Sequence, residues 1–215
     1  SSNWSRRMVR QRSSDSDPLM SPRGGGPPAD RGHRPNMPVR LATFGPQELP
    51  IVQPWFDDPD TQRWLGGPGW PSLVLELAHR PLGEFRGAIE TGRHGWLAWD
   101  REEPVGYIDC VTTDRWTTWE GGPDGRGVIA TIWAPSANIT YAVDPAHRRR
   151  GYGSAMIFGL LAAPELAHIE LFAAGIESGN VASVRCAHVA GFTPLDPRPD
   201  WEGTVYYVRR RQIRT

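Results

Sequence analysis

The chain has no lysine; all 24 of its basic side chains are arginine. That removes Schiff-base and lysine-nucleophile chemistry, and such one-sided usage points to a GC-rich bacterial source. Cysteine is almost as scarce, with Cys110 and Cys186 alone in 215 residues. Two thiols so far apart make neither a zinc site nor a disulfide framework, so no metal is expected. Each reads as a small apolar core residue. No apolar run approaches the length needed to cross a bilayer, and the first residues lack the apolar stretch of a secretory signal. These absences describe a chain working in a reducing cytoplasm, with no membrane partner.

The first 37 residues are also poor in something, namely aliphatic side chains. They are built from Ser, Pro, Gly and Arg, bury too little to offset ordering entropy, and read as a disordered tail. The domain is placed at residues 38–212. With 7 of the 24 arginines and 3 of the 24 acids in the tail, the remainder carries 17 basic against 21 acidic side chains. A mildly acidic domain suits an anionic cofactor and a cationic acceptor. It does not suit nucleic acid, which needs a broad basic face. Arg6, Arg7, Arg10 and Arg12 give the tail the means to tether an acidic partner.

Periodicity outlines a mixed α/β domain. Residues 39–44 alternate as a half-buried strand does, and residues 48–56 read as a helix interrupted at Pro50 and Pro54. Asp60 or Thr61 is expected to cap a short turn before the Gly-Gly-Pro-Gly loop, and Pro71 to open a helix. Residues 95–100 and 104–111 flank an acidic turn as a β-hairpin. A polar, glycine-rich excursion over residues 112–127 reads as a lid, followed by a short strand over 128–133. Strands over 138–143, 168–176 and 204–209 and helices from Ser154 and Asn180 complete a partly antiparallel sheet with helices on both faces.

One stretch carries chemistry. The strand ending Val143-Asp144-Pro145 leads into Arg148-Arg149-Arg150-Gly151-Tyr152-Gly153, and Ser154 opens a helix. Strand, glycine turn and helix N-terminus in that order make an anion site. Unpaired first-turn amides point at the ligand and the helix dipole favours negative charge. Glycines let the backbone turn and a phosphate approach.

Arg148-x-x-Gly151-x-Gly153 after Val143-Asp144-Pro145 resembles the acyl-coenzyme A motif of the GNAT acyltransferase superfamily. A second segment, Asn180 to Phe192 with the run Arg185-Cys186-Ala187-His188-Val189-Ala190-Gly191-Phe192, resembles that superfamily's Asn-capped helix ending in Gly-Phe. The segment from Asp57 to Trp70, joined to this second one, is similar to aminoglycoside 6′-N-acetyltransferases and their bacterial relatives. The resemblance implies a GNAT-type sheet with a splayed central strand, and acetyl-coenzyme A as co-substrate. It places the backbone of Tyr141, Ala142 and Val143 beside the acyl arm. Arg148, Arg149, Arg150, Gly151, Tyr152, Gly153 and Ser154 fall around the pyrophosphate. Asn180, with Ser183 one turn on, is placed at the pantetheine arm, while the residues themselves allow Asn180 to be a plain helix cap.

The proton-handling groups depart from the family. Its usual tyrosine falls at Ala187, and the Glu of histone-type relatives falls at Ala137. His188 is then the nearest replacement acid, although adjacent helix positions do not share a face. Asp109, sharing a strand face with Tyr107, is the base nominated by its place in an apolar strand. Trp55, Asp57, Asp58, Asp60, Trp64, Trp70, Trp116, Trp119 and Glu120 form a load of aromatic and acidic side chains able to attract a cation; about half of the tryptophans are expected in the core.

The function expected is direct acetyl transfer to the amine of a small cationic acceptor, aminoglycoside-like or polyamine-like. A protein N-terminal or lysine acetyltransferase is the alternative within the class. A catalytically silent acyl-coenzyme A-binding domain is the alternative outside it, and Ala187 favours that reading. A homodimer paired along the closing strand is expected by analogy with the superfamily.

Overall fold

The computed structural model describes residues 39–122 and 125–212; the tail read over residues 1–37 lies outside them. The sheet grows outward from one long hairpin. β3 (Ala88–Asp100) and β4 (Glu103–Thr113) pair antiparallel around a tight turn at Arg101, whose φ of 56° is left-handed. This hairpin is longer than its sequence signal at both ends. β1 (Arg40–Thr43) lies along β3, and the two-residue β2 (Glu84–Phe85) pairs with its start. On the other side β4 pairs antiparallel with β7 (Ser136–Val143). Next comes β8 (Leu171–Glu177), then β10 (Thr204–Arg210). The outer side of β10 meets only β9 (Thr193–Pro194), opposite Tyr207 and Val208. Every neighbouring pair is antiparallel except β7 and β8, which run parallel.

Alternation along the strands splits the core in two. One face carries Trp96, Ala98, Ile108, Cys110, Ile139, Phe172, Ala174 and Ile176 against α4 (Tyr152–Leu161) and α5 (Val181–Val189). The opposite face carries Leu97, Tyr107 and Ala142 against three short helices that precede the hairpin: α1 (Leu49–Phe56), α2 (Pro59–Leu65) and α3 (Trp70–Ala78). Val52, Trp55 and Phe56 of α1 are its buried anchors.

Two expectations are corrected here. Pro50 sits in the first turn of α1, where a missing N–H leaves nothing unpaired, and the helix continues through Pro54. The segment after it is a helix of its own, capped at Asp58 rather than at Asp60 or Thr61. Asp58 accepts a hydrogen bond from the Thr61 amide at 2.8 Å, Pro59 fills the first helical position, and Gly66 closes the helix with φ 81°.

The excursion read as a lid is a second, two-stranded sheet of β5 (Trp116–Glu120) and β6 (Gly127–Ile132). The strand expected over residues 128–133 is its second half. Trp116 packs with Ala134, Leu171 and Ala173, so this hairpin covers the β8 end of the sheet on the α1–α3 face. Arg86 fastens it there. Its guanidinium pairs with Glu202 at 2.9 Å and Tyr206 Oη at 3.0 Å, and its carbonyl accepts from the Thr117 hydroxyl at 2.8 Å.

Candidate active site

The parallel pair β7–β8 is joined over three residues only: Ser136 with Leu171, Ala137 with Phe172, and Asn138 with Ala173. Beyond them β7 stays on β4 as far as Val143 while β8 stays on β10 as far as Glu177. A wedge-shaped gap therefore opens in the middle of the sheet. The register of β7 on β4 is unbroken, and the Asp144 amide donates to the Val105 carbonyl at 3.0 Å. Counting back by twos, Ala142 and Thr140 turn their backbone groups to β4, the Ile139 amide closes the ladder on Ala173, and Tyr141 and Val143 turn theirs into the gap. Of the three residues nominated beside the acyl arm, Tyr141 and Val143 thus turn their backbone into the gap. Ala142 does not.

At the mouth of the gap, Asp144 caps a single 3-10 turn by accepting from the Ala146 amide at 3.0 Å. The chain then passes through two left-handed residues, Arg149 (φ 65°) and Gly151 (φ 91°), into α4. No side chain caps that helix; the Ser154 hydroxyl donates instead to the Gly151 carbonyl at 2.9 Å. Helix geometry leaves the amides of Tyr152 and Gly153 without an intrahelical partner. A Cβ on Gly151 would point into open space, so its glycine answers to φ alone. Gly153 differs from expectation. Its missing Cβ would stand 2.8 Å from Cys186 Sγ and 3.4 Å from the Tyr141 ring, so this glycine lets α4 close on α5 and β7 rather than making room for phosphate.

The arginines divide. Arg149 and Arg150 are exposed. Arg148 turns to α2, where its guanidinium meets Asp58 Oδ2 at 2.5 Å, Thr61 Oγ1 at 2.7 Å and Asp60 Oδ2 at 3.5 Å. Burial pushes the Asp58 carboxyl up, but the hydrogen bonds from Arg148 and Thr61 prevail and hold it below its ordinary value. Tyr152 likewise gives only its backbone to the loop, because its hydroxyl donates to Asp100 Oδ2 at 2.6 Å.

The other end of α2 reaches the opposite lip of the gap. The Trp64 ring lies 3.3 Å from where a Cβ on Gly179 would be, next to Asn180. One short helix therefore touches both the loop after β7 and the loop after β8. Sequence reasoning missed this strap, and Asp58-Pro59 as a cap and first-turn pair was the available signal. It also reassigns part of the acidic and aromatic load: Asp58 is committed to Arg148, while Trp55 and Trp116 are core. Trp64, Trp70 and Trp119 are half-buried.

Asp109 lies on the α1–α3 face of β4, opposite Thr140 of β7, and is 6% exposed. Burial is the main cause that raises its pKa to about 7, against partial relief from Tyr107, Trp70 and Thr140. Those donors stand close without ideal alignment, and neither Asp109 Oδ2 nor Tyr107 Oη has a hydrogen-bond partner of good geometry. A carboxyl in that setting takes or gives a proton near neutrality.

Asn180 caps α5, its Oδ1 accepting from the Ser183 amide at 3.1 Å, which leaves its side-chain N–H₂ for a ligand. Tyr141 sends its ring across to α5, and its hydroxyl approaches the Ser183 carbonyl at 3.4 Å. Burial, then the nearby Cys186 thiol, push that phenol well above its ordinary pKa. Ala187 is 1% exposed, while His188 is exposed and packs T-shaped on Tyr207 of β10 at 5.4 Å. His188 therefore belongs to the side of α5 remote from β7 and is withdrawn as a replacement acid.

An open cavity of about 540 Å³ lies at the C-terminal ends of α4 and α5, lined by Phe158, Val189 and Arg209 among others. No carboxylate or thiol lines it. Among the described residues no three His, Cys, Asp or Glu side chains gather as a metal site, and no helix is long and apolar enough to cross a membrane.

Comparison with known proteins gives the arrangement its relatives. Residues 39–193 match the model of the acetyltransferase (GNAT) domain. The "Uncharacterized N-acetyltransferase YfmK" of Bacillus subtilis (strain 168) is 26% identical over 173 residues, spanning 80% of this chain and 96% of its own length. Among solved structures, AAC(6')-Ib crystallised with acetyl-coenzyme A aligns with a TM-score of 0.57 at 18% identity, over 81% of this chain and 94% of that one. An aminoglycoside N(6')acetyltransferase from Legionella pneumophila aligns with a TM-score of 0.52 at 18% identity, over 79% and 89% respectively.

Proposed function

Because the chain belongs to the GNAT acetyltransferase family and is an acetyl-coenzyme A-dependent N-acetyltransferase, we propose that it acetylates a small cationic amine, aminoglycoside-like or polyamine-like, by direct transfer in the cytoplasm. The observation that carries this reading is Asp109: a buried carboxyl titrating near neutrality, ringed by Trp70 and Tyr107, and facing Thr140 across the strand that borders the gap. A carboxylate among aromatic side chains attracts an ammonium group and can then take its proton.

The residues around the gap fit an acyl-coenzyme A. The arm is an extended chain with amide groups of its own, and the gap offers it the unpaired backbone of Tyr141 and Val143. The side-chain N–H₂ of Asn180 lies at the far lip. The amides of Tyr152 and Gly153, with the charge of Arg149 and Arg150, suit the pyrophosphate. Bound there, acetyl-coenzyme A supplies an activated acetyl thioester. The acceptor reaches it from the α1–α3 face, where Asp109 takes the amine's proton. Neither cysteine is suited to carry the acetyl group in between, since burial raises both thiols and so keeps them protonated. The strap of α2 over one end of that face, with the β5–β6 hairpin over the other, favours a compact acceptor over an extended peptide.

The test is free-thiol release from acetyl-coenzyme A with a panel of aminoglycosides, polyamines and short peptides. Turnover with a cationic small molecule and none with peptides is the expected result. Turnover with peptides alone moves the reading to a protein acetyltransferase. Tight cofactor binding with no turnover on any amine moves it to the silent binding domain that Ala187 favours.

A further inference from the structure

The loop between β7 and α4 is stapled at both ends to one place, the last pair of the β3–β4 hairpin, where Asp100 stands opposite Glu103. At the far end of the loop the Tyr152 hydroxyl donates to Asp100 Oδ2 at 2.6 Å. At the near end His147 reaches Glu103, with Nε2 3.1 Å from Oε1. Between the staples lie Arg148, Arg149, Arg150 and Gly151, of which Arg149 and Gly151 are left-handed.

His147 also meets a second carboxylate. Its Nδ1 lies 2.8 Å from Asp144 Oδ2, while the other oxygen of Asp144 accepts from the Ala146 amide. The His147 ring is 8% exposed and stands edge-on to Tyr152, 5.9 Å between centroids. A neutral imidazole has one N–H and one lone pair, so it serves only one of two carboxylates. The imidazolium donates to both. The groups around this cluster are Asp144 on its own turn, Asp100 and Glu103 on the hairpin, and Arg150 and Tyr152 on the loop and α4. Two carboxylates and an imidazolium sum to one negative charge. Loss of the proton leaves two, next to a loop that suits an anion.

The staples answer differently to pH. The Asp100 hydrogen bond, then burial, raise the Tyr152 phenol above its ordinary pKa, so it remains a donor. Histidine is the residue type whose charge responds to physiological pH. When His147 gives its proton to solvent, the N–H that remains stays with Asp144, whose side chain is 15% exposed. Glu103, at 66%, is the partner that turns to water. The loop then keeps its far staple and loses its near one.

On the placement of the pyrophosphate proposed above, we infer that protonated His147 is a positioning residue for the cofactor. It holds the loop on the hairpin tip, and coenzyme A binds more weakly once that proton is lost.

The deciding experiment needs no acceptor. Dephospho-coenzyme A is the probe, because it lacks the 3′-phosphate, whose own ionisation near about pH 6 would obscure the result. Its affinity is measured by calorimetry between about pH 5.5 and 8. In the wild type it should fall about three- to tenfold across that range, and binding should take up protons, seen as a heat that varies with the ionisation enthalpy of the buffer. In His147→Gln the affinity should be low throughout and flat within about twofold. Glu103→Gln, at an exposed position, keeps an acceptor oxygen without the charge and should move the fall to lower pH; it also serves if His147→Gln folds poorly. A histidine that only fills space would lower affinity equally at every pH and leave the slope intact. A flat wild-type profile overturns the inference, as does a slope that persists undiminished in His147→Gln. No binding at any pH overturns the placement of the pyrophosphate and this inference with it. An empty amine panel would overturn only the acceptor reading, and the pH profile would stand.

Discussion

The two faces of the sheet are assembled by different means. On the α4–α5 face one edge of the gap, the loop and the helix N-terminus come from one uninterrupted run, residues 136–161, and the contribution is mostly backbone. On the α1–α3 face the site is gathered from far apart. Arg148 meets Asp58 across 90 positions, Arg86 meets Glu202 across 116, and Asp109 sits among side chains from three separate elements. A backbone site tolerates almost any side chains around its glycines, so it suits a ligand shared by many proteins. A side-chain site changes with each substitution, so it suits the ligand particular to one. On the proposed function, the cofactor side is general and the acceptor side individual for that reason.

Three substitutions probe that division, the first having the largest effect. Asp109→Asn removes the proposed base from the individual side. It should lower kcat/KM by roughly 10²- to 10⁴-fold and abolish a limb of activity that, in the wild type, rises with pH through about 7, because the base works only when ionised. The same change should stabilise the fold at pH 8. With the folded pKa raised from 3.8 to about 7, the native state binds the extra proton between those values, so stability declines as pH climbs through that window and is lowest above it. A variant that loses activity yet melts higher at pH 8 than the wild type, with no such gain near pH 4, is the expected pair of results.

Gly151→Asp strikes the general side. It forces a side chain onto φ 91° and puts a negative charge at the mouth of the anion site. Acetyl-coenzyme A should bind on the order of 100-fold more weakly by calorimetry, with every acceptor affected alike. An effect confined to one acceptor would break the comparison. Arg148→Ala falls between the two sides, since its residue lies in the loop and its guanidinium in the strap. Acceptor KM should rise about tenfold while the dissociation constant for acetyl-coenzyme A moves less than about threefold. The reverse pattern would return Arg148 to the pyrophosphate.

The same division governs what could be read from the sequence. Gly151 announced its turn, and the order of strand, turn and helix announced the anion site, because both depend on neighbours in the chain. Asn180 was legible as a cap for the same reason. Asp109 stood out as an acid in an apolar strand, although its closeness to Trp70 did not. Nothing local could show that Arg148 leaves the phosphate loop for Asp58, or that Gly153 is small because Cys186 lies against it. The two-turn helix α2 hid behind four prolines and three glycines in residues 54–71, a composition that reads as loop whenever capping geometry is not counted. Tyr141 was read through its backbone alone, since the partner of its ring lies 42 positions away.

The short pairing between β7 and β8 has a consequence for the protein without its cofactor. It leaves two unpaired strand edges inside one sheet, a template of the kind that elsewhere recruits further strands and aggregates. Here the wedge narrows to three paired residues, so it admits only one slender extended chain. On the proposed reading, an acyl-coenzyme A arm fills it much as a peptide does in β-augmentation. On that reading the enzyme is a sheet completed by its substrate, and the amides of Tyr141 and Val143 should exchange with solvent until the missing strand arrives.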